Sequence, residues 1–162
     1  MADSISFEIE GVNSLNAKLE GVTRDIKYKG GRFALRKAAQ LVAEQARENA
    51  SRLDDPETGR KIADNVAVRW SGKTFKQTGD LHFRVGVLGG GKLRKGNPDT
   101  GVGGETPHWR LLELGTEKMP AVPFLRPALA ENLQPATNEF VEQYSKAIDR
   151  ALKRARKQNG GG

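Results

Sequence analysis

Residues 108–129 read HWRLLELGTEKMPAVPFLRPAL and form the most distinctive stretch of the chain. One glycine and three prolines stand there among large apolar side chains. These residues shape the backbone, and none of them is a good nucleophile or metal ligand. Because the most distinctive sequence serves geometry, we expect a component of an assembly rather than an enzyme.

Turn and cap residues predict the local structure of this stretch. Thr106 is expected to cap a short helix, with Pro107 as its first residue and Gly115 as a left-handed residue at its end. A strand across 109–114 is the alternative. Pro120 and Pro123 then predict an extended path before the next element.

The last helix is predicted to begin near Pro127, which suits a first helical turn. Its apolar residues recur on one side from Leu129 to Leu152. Pro135 is expected to kink or restart it. Residues 158–162 are expected to form a flexible tail, since they end in three glycines.

The N-terminal part predicts one strand and two helices. Residues 4–10 alternate between apolar and polar and predict a half-buried strand. A helix capped by Asn13 or Ser14 follows, and Gly30-Gly31 is expected to break or kink this helical region. A stronger, alanine-rich helix is predicted from 32 to 52. Its expected inner face is Leu35, Ala38, Leu41, Val42, Gln45 and Ala46.

The middle of the chain predicts a pair of strands and a long loop. Residues 66–70 and 81–87 have strand patterns and are expected to pair in antiparallel fashion, with 71–80 as the connection. Ser71-Gly72-Lys73 is expected to form a turn in that connection. Residues 88–106 hold seven glycines, a composition that cannot order itself by burial. We predict that this loop is mobile in the free subunit and becomes fixed on assembly.

Composition narrows the class of protein. A chain of 162 residues fits one domain, predicted here to cover 1–162. It has no cysteine, its N-terminus lacks the pattern of a signal peptide, and no apolar run has transmembrane length. These features predict a soluble protein of a reducing cytoplasm without a membrane partner.

The net charge of +7 suggests an anionic partner. One basic cluster, 92–95, lies in the glycine-rich loop, and another, 150–157, lies at the end of the last helix. The simpler interpretation of the second cluster is that it complements the helix dipole and solvates the tail. Sequence-independent binding of nucleic acid is the alternative.

A phosphate-binding loop is the nearest approach to an enzyme motif. Residues 86–92 match G-x-x-x-x-G-K, but Leu93 stands where a hydroxyl residue should bind magnesium. Turn residues 94–98 follow instead of a helix that could receive phosphate. We therefore predict no catalytic residue and no bound cofactor.

The remaining candidate ligands have simpler roles. His82 and His108 lack the spacing of a zinc site, and the acidic turn 54–57 lacks that of a calcium loop. Trp70 and Trp109 do not lie in the alternating basic and aromatic pattern of RNA-binding sheets. No metal site is predicted, and both tryptophans are assigned to a core or an interface.

The motif in 113–129 resembles one family of bacteriophage proteins. Glu113-Leu114-Gly115-Thr116, Lys118-Met119-Pro120 and the run 123–129 match the pattern E-[FYL]-G-T-x-K-M-P-A-x-P-F-L-R-P-A. This pattern is similar to that of the tail-completion, or neck, proteins of phages with long non-contractile tails. The likeness is specific over about twenty residues, and the glycine-rich loop departs from it.

The resemblance implies an α+β fold, with a small antiparallel sheet packed against the long alanine-rich helix and the long C-terminal helix. It implies a virion protein, assembled in the host cytoplasm, that forms a ring of six copies between the head connector and the tail tube. Tail-terminator, tail-tube and head-connector proteins are the implied partners. DNA would pass nearby without being a specific ligand.

The motif residues are the candidate anchors for this role. Gly115 would turn the chain, and the two prolines would stiffen it. Arg126 could form a bidentate pair with a nearby carboxylate, for which Glu113 is one candidate. Phe124 and Leu125 could fill a pocket in their own subunit or in a neighbour, and both interpretations stay open. The candidate residues are Trp109, Glu113, Gly115, Thr116, Met119, Pro120, Pro123, Phe124, Leu125 and Arg126.

Overall fold

The computed structural model describes residues 24–54, 56–57, 59–88 and 106–159. Seven elements follow one another: α1 (Arg24–Ser51), α2 (Ile62–Asn65), β1 (Val66–Trp70), α3 (Gly72–Thr78), β2 (Phe83–Val87), α4 (Trp109–Leu114) and α5 (Leu125–Asn159). The fold is mixed α+β, as the sequence predicts. The predicted strand 4–10, the helix after it and most of the glycine-rich loop lie outside the described residues.

The two long helices, α1 and α5, pack against each other in antiparallel orientation. Gly30 lies beside Ala147, while the amide of Asn49 donates to the carbonyl of Phe124, 3.3 Å away. The contact face of α1 is rich in alanine, because only small side chains allow such close helices. Its fully buried alanines are Ala34, Ala43, Ala46 and Ala50. Of the predicted inner face, Ala38, Val42 and Ala46 are buried. The other three, Leu35, Leu41 and Gln45, are half-buried.

The predicted break at Gly30-Gly31 is wrong, since α1 continues through both residues from Arg24. A Cβ atom on Gly30 would lie 3.2 Å from the Cβ of Ala147. One on Gly31 would lie 3.3 Å from the ring of Tyr144. The glycines therefore allow α5 to approach, and this packing outweighs their low helix propensity.

The sheet has two antiparallel strands, β1 and β2, among the described residues, in register from Val66 opposite Val87 to Trp70 opposite Phe83. The predicted pairing is confirmed, although β2 begins at Phe83 rather than at 81. The turn predicted at 71–73 is wrong, because α3 forms there and ends at Gly79, whose φ is +77°.

Aromatic contacts explain why the connection folds into a helix. Phe75 of α3 lies 5.3 Å from Tyr28 and 5.5 Å from Trp70 between ring centroids. The guanidinium of Arg32 covers the other side of this group, 4.2 Å from the Trp70 ring centroid. Trp70 is therefore a packing residue that joins α1, β1 and α3.

The core contains few large side chains. Phe124, Ile62 and Ile148 are fully buried, and most of their buried neighbours are alanines. The last helix begins at Leu125, two residues before the predicted start at Pro127. It continues through Pro135 without a restart and reaches Asn159, two residues into the predicted tail.

Candidate functional site

The central feature of the motif is the carboxylate of Glu113, which receives four hydrogen bonds. Its Oε2 accepts from the backbone N–H groups of Phe124 at 2.7 Å and Leu125 at 2.9 Å. Its Oε1 accepts from the backbone N–H of Arg126 at 3.0 Å and from the Nε of the same residue at 3.2 Å. Glu113 thus holds the start of α5 from a different helix, α4.

These bonds satisfy the donors that a helix N-terminus leaves unpaired. The N–H groups of Phe124, Leu125 and Arg126 precede or begin the first turn, and each is bound to Glu113. Pro127 comes next and has no N–H to satisfy. A carboxylate is well suited to this position, since it also interacts favourably with the positive end of the helix dipole. The sequence Phe-Leu-Arg-Pro therefore fits the glutamate as one unit.

Arg126 completes the pair in a form that differs from the expected one. Its side chain bonds the Glu113 carboxylate through Nε only, while its NH2 group donates to the backbone carbonyl of Glu113. The predicted bidentate pairing is wrong, because Oε2 is already occupied by two backbone donors. The arginine instead ties both the side chain and the backbone at the end of α4.

The environment keeps Glu113 ionised. Burial alone would raise the pKa of its carboxyl group, whose side chain is only 5% exposed. The hydrogen bonds from the backbone of 124–126 and from the Arg126 side chain outweigh that effect and lower its pKa below the usual value.

Gly115 turns the chain after α4, as the sequence predicts. Its φ of +75° is in the region that favours glycine, and its ψ of 176° differs from that of a left-handed helix. A Cβ atom there would lie 2.8 Å from the backbone N of Ala121 and 3.1 Å from the backbone O of Met119. Two separate constraints, conformation and space, thus require glycine.

The loop after Gly115 is closed by its own backbone. The N–H of Thr116 donates to the carbonyl of Met119 at 2.8 Å, and the N–H of Met119 donates to the Thr116 hydroxyl at 3.1 Å. The N–H of Val122 then donates to the carbonyl of Leu112 at 2.7 Å. The exposed prolines 120 and 123 lie in the part of this loop without helix or strand.

The predicted anchors divide between core and surface. Phe124 is fully buried in its own subunit, and Leu125 and Trp109 pack partly against the same core. Met119 is half-buried, whereas Thr116 is exposed. The Nε1 of Trp109 is buried without a hydrogen-bond partner among the described residues.

One buried contact could not be foreseen from the sequence. The side-chain amide of Asn65 donates to the hydroxyl of Thr106 at 2.8 Å, and the N–H of Leu88 donates to the carbonyl of Asn65 at 2.8 Å. Asn65 thus binds both Leu88 and Thr106, which are far apart in the sequence. Thr106 does not cap α4 as predicted, since that helix begins at Trp109 with His108 before it.

An apolar surface surrounds this arrangement. Leu111, Leu114 and Val122 are exposed by 51%, 68% and 43% around α4 and its loop. Residues of α1, β2 and α5 line an open groove of about 760 Å³, which extends to Leu125 and Arg126 at the start of α5. Its largest apolar lining residues are Leu35, Leu81, Phe83, Leu125, Leu129, Leu133 and Phe140.

The described part of the chain offers no grouping suited to metal binding. It contains no cluster of three histidine or acidic side chains able to hold a metal ion. His82 is exposed, and the residues after Leu88 in the near-match to a phosphate loop lie outside the described ranges. No helix in these ranges is long and apolar enough to cross a membrane.

Comparison with known proteins identifies a family of bacteriophage proteins. The model of the bacteriophage HK97-gp10-like tail-component family matches residues 13–115. This range covers both strands and α1 to α4, and it ends at the glycine that turns the chain. Neither a curated protein nor a solved structure matches the chain significantly.

Proposed function

Because the chain belongs to the HK97-gp10-like tail-component family of bacteriophages, we propose that it forms a ring of six copies that completes the tail where it joins the head. Membership implies a structural role in the tail rather than an enzymatic one. The tail-terminator, tail-tube and head-connector proteins are the proposed neighbours of the ring.

The observation that best supports a ring is the amount of apolar surface in a protein with a small core. Contiguous exposed apolar patches on a soluble subunit usually mark interaction sites. Two candidate surfaces are the groove beside Leu129 and the exposed side chains of Leu111, Leu114 and Val122, which we call the projection. A ring is built from heterologous contacts, in which two different surfaces of the same chain meet.

The rigid loop favours the projection as a contact surface. Glu113 and Gly115 hold α4, the loop and the start of α5 in one arrangement before any partner binds. A surface ordered in advance loses less entropy on association. We therefore place the projection of one copy against the groove of the next.

Light scattering combined with size-exclusion chromatography tests the proposal. The wild-type protein should elute with the mass of six copies at high concentration, and negative-stain images should show rings. Leu129→Asp places a charge on a groove residue that is 52% exposed and should leave the protein monomeric. Leu152→Asp is the matched control, since it changes an exposed leucine of the same helix that does not line the groove.

Mixing variants tests the polarity of the contact. Leu114→Asp removes the projection and Leu129→Asp removes the groove, so each variant alone should stay monomeric. An equimolar mixture should yield dimers, because one intact projection can still meet one intact groove. Wild-type protein that stays monomeric, both alone and with tail and connector proteins, would contradict the ring.

A further inference from the structure

The antiparallel pair of helices α1 and α5 carries its excess positive charge at one end. Residues 28–37 of α1 hold four basic and no acidic side chains, and residues 144–157 of α5 hold six basic and one acidic, which gives a net charge of +9. The two segments meet where Gly30 packs against Ala147 and Tyr144. All ten basic residues are exposed. We define this surface as the basic end.

The other end of this helix pair has a net negative charge. Residues 38–51 hold one basic and two acidic side chains, and residues 125–143 hold one basic and three acidic, for a net charge of −3. The excess positive charge of the chain is therefore not spread over its surface. A strong local field of this kind attracts polyanions and raises their rate of association.

The spacing along α5 fits a phosphate backbone. Lys146, Arg150, Lys153 and Lys157 recur at intervals of three and four residues and so share one face. This face is about 16 Å long at the rise of an α-helix. Duplex DNA carries one charge per 1.7 Å of its axis, so about ten phosphate charges would lie along it.

The same face is unsuited to a protein partner. Between Lys146 and Lys157 its other member is Asp149, and no apolar side chain lies on it. Protein interfaces are depleted of charge at their centre and rely mainly on buried apolar and aromatic anchors, whereas three of the four cations on this face are lysines. We propose that the basic end binds the phosphate backbone of duplex DNA without sequence preference.

The proposal goes beyond the ring. It assigns the DNA contact to one face of α5 in the single subunit, and the exposed cations at the start of α1 add to the local positive charge. Contacts between basic side chains and phosphate position a protein on the duplex but carry no sequence information. The residues of the basic end would hold DNA that passes the tail joint, and binding would depend strongly on salt.

Fluorescence anisotropy with a labelled duplex of random sequence tests the inference at two salt concentrations. If four phosphates are contacted, affinity should fall about a hundredfold between about 50 mM and about 200 mM salt. The variant Arg150→Gln, Lys153→Gln, Arg154→Gln, Lys157→Gln should bind at least about tenfold more weakly in low salt and show a smaller salt slope.

The matched control removes the same charge elsewhere. Arg52→Gln, Arg60→Gln, Lys61→Gln, Lys118→Gln changes four exposed cations outside the basic end and should bind as the wild type does. Both variants should keep their helix content and melting temperature, because lysine, arginine and glutamine have similar helix propensities. Circular dichroism verifies this before binding is measured.

Three results would overturn the inference. The wild type could fail to bind at low salt, or the control could lose as much affinity as the basic-end variant. Poly-L-glutamate could also displace DNA at equal charge concentration, which would assign the surface to an acidic protein. A subunit that binds DNA but forms no ring would contradict only the proposed ring, so the two ideas fail separately.

Discussion

Glu113 is a buried carboxylate of α4 that binds the first residues of the next helix, α5. Its four bonds make the start of α5 dependent on a residue that lies eleven positions before Phe124. A change at this single position should therefore act on the whole motif.

Glu113→Gln should lower the free energy of unfolding by about 3 kcal/mol, because an amide leaves buried N–H groups facing another donor. Urea unfolding at neutral pH measures this effect. Glu117→Gln is the control, since it neutralises an exposed glutamate in the adjacent loop and should cost less than about 0.5 kcal/mol. Equal effects of the two variants would contradict the assigned role.

The stability difference between wild type and Glu113→Gln should depend on pH. The folded state lowers the pKa of Glu113 below its ordinary value of 4.5, so the ionised carboxylate contributes stability above that value. This contribution is lost as pH falls through the lower, folded-state pKa. The difference between wild type and Glu113→Gln should thus shrink in acid, and a difference independent of pH would be inconsistent with it.

At Gly115, the cost of a positive φ can be separated from the cost of a steric clash. Gly115→Ala should lower the free energy of unfolding by about 3 kcal/mol, since the added Cβ meets the backbone of Ala121 and also strains a positive φ. Gly59→Ala has the strain alone, with φ at +66° and no atom within 4 Å of the Cβ, and should cost about 1 kcal/mol. Thermal unfolding of both variants distinguishes the two contributions.

At the scale of elements, the glycines of α1 make a close contact with α5. Gly30→Leu should lower the free energy of unfolding by about 2–3 kcal/mol, because the Cβ of Ala147 and the ring of Tyr144 leave no room for a large side chain. Ala155→Leu makes a similar change on an exposed turn of α5 and should be nearly neutral. Denaturant unfolding compares them, and a stabilised Gly30→Leu would exclude close packing there.

Elements with a clear periodicity were predictable from the sequence. The alternation in 66–70 and 81–87 indicates two strands, and their short separation indicates that they pair. Gly30-Gly31 misled the prediction, because local propensity opposes a helix there while packing against Tyr144 favours one. Likewise, nothing local in 71–78 shows that Phe75 will find Tyr28 and Trp70.

The candidate site was predictable where its partners lie close in sequence. Glu113 and Arg126 stand in one motif, so their contact could be proposed, but the competition for Oε2 depends on atomic positions. Asn65 and Thr106 are 41 positions apart and carry no shared pattern. Their contact exists only because α2 and the start of α4 are brought together by the fold.

At the scale of the whole molecule, an alanine-rich core leaves large apolar side chains on the surface. Leu114 is 68% exposed and Leu129 is 52% exposed, whereas the fully buried positions hold mostly small residues. The free subunit should therefore be only modestly stable, and association should add stability by mass action. Its melting temperature should therefore rise when the protein concentration is increased about a hundredfold.

Calorimetry of wild type and Leu129→Asp measures this effect, and only the wild type should show it. The variant removes apolar contact area between copies while changing an exposed position, so its own melting temperature should match that of the dilute wild type. A melting temperature that does not change with concentration in either protein would show that the exposed leucines contribute nothing to association.

The uneven distribution of charge along the helices α1 and α5 has a further consequence for any closed ring of these subunits. Cyclic symmetry places the same part of every copy at the same height, so all basic ends would form one electropositive rim. Neighbouring ends would repel one another wherever they approach within a Debye length, about 8 Å in physiological salt. Counterions, or a polyanion threaded through the opening, would relieve that repulsion and favour closure.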